Sequence, residues 1–213
     1  MRIFRRSFFS RSYVTRSIRQ YLAIRRYLGK VRCDMQKKTP KSTANLPEIL
    51  IAGRARLGLS QDSLAEKAQV SRSIITRIEG LKRQIPAERS IELRLNTLDN
   101  LARGLDVDVR DLLSVTAQIS NDLSDQISAI RVAANLLRIR KELGVSQLQL
   151  SKDTGHFRTY IGRLELLRFV PVISDVEGIA ERLAVDLIEL FKPIPSGIYR
   201  EYLRRWEELE SIR

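Results

Sequence analysis

The sequence predicts an all-α fold built from two tandem domains of about five helices each. From about Pro47 onward, apolar residues recur at helical spacing, and no stretch alternates between apolar and polar residues over a useful strand length. The second half of the chain also repeats the first at a constant offset of 86 residues. A helical unit that occurs twice is therefore the basic expectation.

The internal repeat covers a continuous segment of each copy. Identical pairs at the offset of 86 include Arg54 with Arg140, Leu57 with Leu143, Gly58 with Gly144, Ser60 with Ser146, Gln61 with Gln147, Leu64 with Leu150, Arg72 with Arg158, Ile75 with Ile161, Arg77 with Arg163, and Glu79 with Glu165. The offset then falls to 78, which pairs residues 101–113 with 179–191. Eight extra residues are thus predicted in the first copy, in or near 82–94.

A basic segment precedes the repeat. Residues 1–38 contain twelve Lys or Arg and one acid, so they carry +11 of the net charge of +13, and the rest of the chain is close to neutral. We predict that residues 1–44 are a disordered extension, whose apolar runs are too short to span a bilayer. Three interpretations stay open: an arm that binds phosphates, an over-extended start with Met35 as an internal alternative, and an organelle-import signal.

The other boundaries follow changes in composition. The first domain is expected at 45–115, a polar linker at 116–128 and the second domain at 129–192. Residues 193–213 are predicted to form a C-terminal helix, because apolar residues recur there at helical spacing. That helix is expected to dock on its own domain, with a dimer contact as the alternative.

Residues 60–80 predict two short helices with a tight turn between them. Ser60 and Ser71 are both good N-capping residues, and each is followed by apolar residues that share one face. Two helices of eight or nine residues, joined by about three, have the dimensions of a helix-turn-helix. Neither helix is stable alone at that length, so each must pack within a larger helical unit.

These residues resemble the Cro and repressor type of helix-turn-helix, also called the Xre-like family. The resemblance lies in "GLSQDSLAEKAQVSRSIITRIEG" and in the trailing "LARGLDVDVRDLL", and it covers residues 47–114 strongly and 129–191 more weakly. It implies a lambda-repressor-like fold in which the second helix of the motif lies in the major groove of DNA and the first helix crosses the backbone.

The resemblance also implies roles for individual residues. Gln61 would bond a phosphate and brace the second helix, and Ser71 would cap that helix. Arg72, Ser73 and Arg77 would face base edges, and Thr76 would touch a base or a phosphate. In the second copy, the corresponding residues are Gln147, Arg158, Thr159 and Arg163.

Three departures from the family pattern distinguish the copies. Gln69 stands where the family usually has glycine, whereas the second copy has Gly155. The turn residues Val70 and Ser71 become His156 and Phe157. The second copy is therefore expected either to read an adjacent site or to keep the fold as a pairing or scaffold domain.

No arrangement of catalytic residues is present in the sequence. There is no Gly-rich phosphate loop and no nucleophile with a base partner, and one Cys and one His exclude a His/Cys metal cluster. We therefore predict a non-enzymatic protein without cofactors. The single Cys33 favours a reducing compartment, which we take to be the cytoplasm. The resemblance implies double-stranded DNA as the partner, with no membrane contact and with a homodimer as an option.

The predicted function is sequence-specific transcriptional regulation, of repressor type, on an operator that is a direct or imperfect repeat. The alternative is an antitoxin or protein-interaction regulator whose second domain and C-terminal helix bind a protein.

Overall fold

The regular structure of the chain is helical, as predicted. The computed structural model describes residues 41–84, 91–113 and 125–210, which belong to one compact unit. Within these ranges the only strand-like pairing is an isolated bridge between Arg94 and Val172. The all-α class is confirmed.

Five α-helices form the first part of the structure, and a short 3-10 helix, Leu81–Arg83, follows the third. They are α1 Leu46–Arg56, α2 Gln61–Lys67, α3 Arg72–Gly80, α4 Leu95–Leu105 and α5 Val109–Leu113. Ser60 caps α2 as predicted, since its Oγ accepts a hydrogen bond from the amide of Ser63 at 3.0 Å. A left-handed residue, Asp106 with φ of 55°, ends α4. We call residues 41–113 the first unit.

Five further helices repeat this order. They are α6 Ser128–Glu142, α7 Gln147–Asp153, α8 Tyr160–Glu165, α9 Ile173–Leu183 and α10 Leu187–Phe191. The bounds of α7 are those of α2 shifted by 86 residues, and the bounds of α9 and α10 are those of α4 and α5 shifted by 78. The change of offset falls between the third and fourth helices, as predicted, and residues 85–90 lie outside the described residues. We call residues 125–191 the second unit.

The helices pack in the same way in both units. In the first unit, α1 contacts α3, α4 and α5, and α2 contacts α3 and α4; in the second, α6 contacts α8, α9 and α10, and α7 contacts α8 and α9. The cores are aliphatic, with Leu64, Ile75 and Leu98 buried in the first unit and Leu150 and Ile161 in the second. Each such side chain contributes roughly 1.5–3 kcal/mol on burial. This packing stabilises helices that are too short to persist alone.

The two units share an interface that contains a buried ion pair. α4 packs against α6, and α5 packs against α10. Arg131 Nη1 of α6 lies 3.1 Å from Asp108 Oδ2 of the first unit. Burial pushes the pKa of Asp108 upward, but hydrogen bonds from Arg110 and the charges of Arg131 and Arg110 outweigh it, so the pKa is lowered. Asp108 therefore carries its charge at neutral pH.

The structure describes the last residues of the predicted N-terminal extension and of the predicted linker. Lys41–Thr43, the last part of the predicted extension, forms a 3-10 helix that contacts α5, and Thr43 is buried. Ser128, the last residue of the predicted linker, is the buried first residue of α6. Residues 1–40 of the extension and 114–124, with most of the linker, lie outside the described residues.

The C-terminal helix docks on the second unit. This helix, α11, spans Ser196–Glu210 and packs against α6. Tyr202 is buried, and the hydroxyl of Tyr199 accepts a hydrogen bond from the amide of Ile127 at 3.1 Å. Among the helices that the structure describes, none is both long enough and apolar enough to cross a membrane.

Candidate nucleic-acid interface

α2 and α3 are the helix pair predicted from residues 60–80. The turn between them spans residues 68–71, and within it Gln69 adopts a left-handed conformation with φ of 52°. The second unit has Gly155 at this position, with φ of 74°. Because a Cβ makes this conformation unfavourable, Gln69 carries a strain that Gly155 avoids.

The outer surface of α3 carries the side chains predicted to contact bases. Ile75 and Ile78 are fully buried, whereas four polar residues of the same helix are exposed. These residues are Arg72, Ser73, Thr76 and Arg77. Their spacing places them along one side of the helix. This surface therefore presents two guanidinium groups and two hydroxyls, which are hydrogen-bonding groups suited to base edges and phosphates.

A partly buried hydrogen-bond network holds α3 against α1 and α2. Arg54 Nε donates to Glu79 Oε1 at 2.9 Å, and Gln61 Nε2 donates to Glu79 Oε2 at 2.7 Å. Thr76 Oγ1 donates to Gln61 Oε1 at 3.3 Å. Only 9% of the Glu79 side chain is exposed. Gln61 thus makes the bracing contact that the resemblance implies, and its phosphate contact stays a prediction.

The same network recurs in the second unit. Arg140 Nε and Gln147 Nε2 both donate to the carboxylate of Glu165, each at 2.6 Å. The residue equivalent to Thr76 is Gly162, so Gln147 lacks the hydroxyl partner that Gln61 has. Both units therefore position their third helix by an Arg–Glu–Gln network.

The start of α3 differs in one detail from the prediction. Ser71 occupies the N-cap position with an extended backbone, but its side chain makes no capping bond to the helix. The predicted cap is wrong because the Ser71 hydroxyl pairs with the Ser73 hydroxyl at 2.9 Å. Arg72 Nε lies 3.2 Å from Asp62 Oδ1 in a largely exposed ion pair. Solvent weakens such a pair, so Arg72 can exchange this partner at little cost.

The third helix of the second unit begins later than its equivalent. α3 begins at Arg72, whereas α8 begins at Tyr160, and Arg158 and Thr159 lie in the preceding turn. Their equivalents Arg72 and Ser73 are the first two residues of α3. The Tyr160 amide donates to the Phe157 carbonyl at 2.9 Å, and the equivalent Ile74 amide donates to the Ser71 carbonyl at 3.0 Å. The later start therefore does not come from the loss of a side-chain cap, because Ser71 makes none.

Aromatic side chains surround the turn of the second unit. His156 stacks on Tyr160 with ring centroids 3.8 Å apart, and Phe157 and Phe169 also contact the Tyr160 ring. Burial and a hydrogen bond to the Asp175 carboxylate both raise the pKa of the Tyr160 hydroxyl. His156 is therefore packed in this aromatic cluster.

Arg163, the equivalent of Arg77, lies against this cluster. Its guanidinium carbon is 5.7 Å from the ring centroid of Phe157 and 5.9 Å from that of Phe169. Both distances suit a cation–π interaction, which holds the side chain near the rings. In the first unit, Ser71 and Arg83 stand at the positions equivalent to Phe157 and Phe169. Arg77 and Arg163 are thus both exposed but have different surroundings.

Exposed apolar residues also distinguish the second helix pair. Leu148, Phe157 and Leu166 are 38%, 52% and 50% exposed. The equivalent residues of the first unit are Asp62, Ser71 and Gly80. Large apolar side chains therefore replace polar or small residues at three positions, and they reduce the hydrogen-bonding capacity of this surface.

The sequence interpretation missed the structural role of the charged pairs in the network. Arg54 and Glu79, with their equivalents Arg140 and Glu165, were used only as identities of the repeat. The available signal was that opposite charges recur at the same two positions in both copies. Comparison of the chain with protein-family models, with curated proteins and with solved structures found no match.

Proposed function

We propose that the chain is a sequence-specific DNA-binding transcriptional regulator of repressor type, and that α3 enters the major groove. Under this proposal the two units are helix-turn-helix domains of the Xre-like type. The observation that carries it is the combination on α3 of an exposed polar surface with a buried side held by Arg54, Glu79 and Gln61. Base recognition needs both, because exposed donors must also be held in a precise position.

The side chains on α3 suit the chemistry of the major groove. Arg72 and Arg77 can each donate two hydrogen bonds to the acceptors of guanine, which contributes roughly 1–3 kcal/mol of discrimination per base. The hydroxyls of Ser73 and Thr76 can bond to bases or phosphates. Residues 60–84 contain five basic and three acidic side chains, so this part of the first unit is positively charged. Such a charge favours contact with the phosphate backbone.

The second unit is expected to discriminate less between bases. Arg158 and Thr159 precede α8, and Arg163 lies near two aromatic rings. Gln147 makes the same network contact as Gln61 and is exposed, so its side-chain amide can donate a hydrogen bond to a phosphate. The second unit would then contribute mainly to positioning on the DNA.

Selection of bound duplexes from a random DNA pool tests the proposal. The full chain is used with excess competitor DNA, because the +11 segment at residues 1–38 attracts phosphates regardless of sequence. We expect one consensus to be enriched, and we expect a shuffled duplex of the same composition to bind at least about tenfold more weakly. A pool that shows no enrichment at about 150 mM salt would contradict the proposal.

A protein-interaction regulator, such as an antitoxin, is the second candidate. The observation that favours it is the exposed apolar set of Leu148, Phe157 and Leu166, with Ile198 of α11 also 45% exposed. A co-encoded small protein that binds the purified chain would support it. The variant Ile198→Asp on α11, which lies outside both helix pairs, should then weaken binding of that protein and leave DNA selection unchanged.

A further inference from the structure

The two units meet through equivalent residues. Equivalence is an offset of 86 residues up to the third helix of each unit, and of 78 from the segment before the fourth helix. The carbonyl of Leu93 accepts a hydrogen bond from the amide of Ile173 at 2.9 Å, and the amide of Leu95 donates to the carbonyl of Pro171 at 3.2 Å. Pro171 is the equivalent of Leu93, and Ile173 is that of Leu95. The two hydrogen bonds are therefore images of each other.

A second pair of contacts repeats this exchange farther along the interface. The amide of Ser128 in the second unit donates to Asp99 Oδ2 in the first at 3.0 Å. The amide of Ser42 in the first unit donates to Glu177 Oε1 in the second at 2.8 Å. Ser42 and Ser128 are equivalent at the offset of 86, and Asp99 and Glu177 at the offset of 78. Each unit thus donates an amide hydrogen bond to a carboxylate of the other unit and accepts the equivalent bond in return.

One pair of packed helices also joins equivalent elements, although the α4–α6 contact has no counterpart of similar extent between α9 and α1. α5 packs against α10, which is its own equivalent. The two backbone hydrogen bonds described above define the bridge that joins Arg94 to its equivalent Val172. In a two-fold arrangement, if residue i of one unit contacts residue j of the other, the equivalent of i also contacts the equivalent of j. A head-to-tail arrangement instead joins two different surfaces. An approximate two-fold axis therefore passes near Arg94 and Val172 and relates the two units within one chain.

We infer that one chain binds an inverted repeat in DNA as a monomer, with α3 and α8 at half-sites of opposite orientation. This inference rests on the proposed function. The two-fold axis that relates the units also relates α3 to α8, because the same packing and the same Arg–Glu–Gln network hold each helix within its unit. A protein two-fold axis is matched by a palindromic arrangement of half-sites. The tandem order in the sequence suggested a direct or imperfect repeat, and the reciprocal contacts favour an inverted one.

The two half-sites are expected to differ in strength. The symmetry is broken on the candidate DNA surface, where Phe157 replaces Ser71 and Arg163 lies near aromatic rings. It is also broken at the interface, where Arg131 is equivalent to Asn45. The half-site under the first unit should therefore carry the stronger consensus, and the half-site under the second unit should tolerate more substitutions.

DNA cleavage by a probe attached to each unit tests the orientation. Lys82 and Arg168 are equivalent, exposed, and lie just beyond α3 and α8. Two variants, C33S/K82C and C33S/R168C, would each carry a DNA-cleaving iron chelate and would be bound to the duplex obtained by selection. The two cleavage patterns are expected to be related by a dyad, with the strands exchanged and the centres about 10 base pairs apart. The unlabelled C33S chain is the control for binding.

The outcomes separate the two proposals. Patterns that run in the same direction on the same strand, or cleavage from the Lys82 position alone, would overturn the inverted arrangement and leave sequence-specific binding intact. Native mass spectrometry of the complex should find one chain per duplex, and two chains would also overturn the inference. If no duplex is bound selectively, the proposed function itself fails, and the inference fails with it.

Discussion

Arg131 and Asp108 form an ion pair across the boundary between the two units, with Nη1 and Oδ2 3.1 Å apart and both side chains buried. The same guanidinium group donates to the carbonyl of Phe191 at 2.9 Å, so Arg131 also contacts the end of α10. Buried charges of this kind are tolerated only when they are paired and hydrogen-bonded. Arg131 therefore couples the fold of the second unit to that of the first.

Replacing Arg131 should reveal this coupling. We expect Arg131→Met to lower the free energy of unfolding by about 3 kcal/mol, because Asp108 would lose a buried cationic partner. Denaturation in urea measures the change. Arg138→Met on the same helix is the matched control, since its pair with Glu142 is half exposed and should contribute less than about 1 kcal/mol. Equal stability of the two variants would show that the boundary pair is dispensable.

Asp99 should make stability depend on pH. Burial raises the pKa of Asp99 above 3.8, although hydrogen bonds from Ser128 and the charges of Arg131 and Arg103 act in the opposite direction. The folded state then holds the proton more tightly than the unfolded state. The contribution of Asp99 to the free energy of unfolding therefore falls as pH rises from about 4 through the folded pKa. We expect Asp99→Asn to remove this part of the slope.

Urea denaturation at several pH values between about 4 and about 7 measures that slope. Asp62→Asn controls for the change in net charge, because Asp62 is exposed outside the interface. Burial also raises the pKa of Glu177, the equivalent of Asp99, so Glu177→Gln should act in the same direction. If both interface variants kept the wild-type slope, burial of these carboxyl groups would not govern it.

The turn between α2 and α3 offers a reciprocal test of backbone strain. We expect Gln69→Gly to raise the free energy of unfolding by up to about 1 kcal/mol, because glycine adopts a positive φ without a steric penalty. Gly155→Gln should lower it by a similar amount in the second unit. Thermal unfolding of both variants provides the comparison. A loss of stability in the Gln69 variant would contradict the strain assigned to this turn.

Glu79 should affect both stability and DNA binding. We expect Glu79→Ala to cost about 1–3 kcal/mol of stability, because Arg54 and Gln61 would lose a shared acceptor. It should also weaken selective DNA binding, since α3 would lose its brace. Glu165→Ala is the matched change in the second unit, where the carboxylate holds Arg140 and Gln147.

The two variants are compared by calorimetry and by titration of the selected duplex. Both should lose stability, and Glu79→Ala should lose more selectivity than Glu165→Ala. The opposite order would indicate that the second unit makes the principal contacts with the bases.

Much of the fold follows from local patterns in the sequence. The cap at Ser60 and the change of offset after α3 were predictable because capping and periodicity depend on neighbouring residues. The late start of α8 was not predicted. It depends on how Phe157 and Tyr160 pack within an aromatic cluster, which is a tertiary effect.

The relation between the two units was less accessible to prediction. Ser42, Asp99, Ser128 and Glu177 are far apart in the sequence, and no periodic pattern connects them. A repeat in sequence order is compatible with both a head-to-tail and a two-fold arrangement. Only the contacts between the units distinguish these arrangements.

The most direct test of the central claim is the ratio of affinities for the selected duplex and its shuffled control. Anisotropy titrations would compare the wild-type chain, Arg72→Ala/Arg77→Ala, and the equivalent Arg158→Ala/Arg163→Ala, with circular dichroism to check that each remains folded. In the first variant this ratio should fall at least about tenfold, because two guanidinium groups proposed to contact bases are removed. In the second it should fall clearly less. A folded Arg72→Ala/Arg77→Ala chain with the wild-type ratio would contradict DNA recognition by α3.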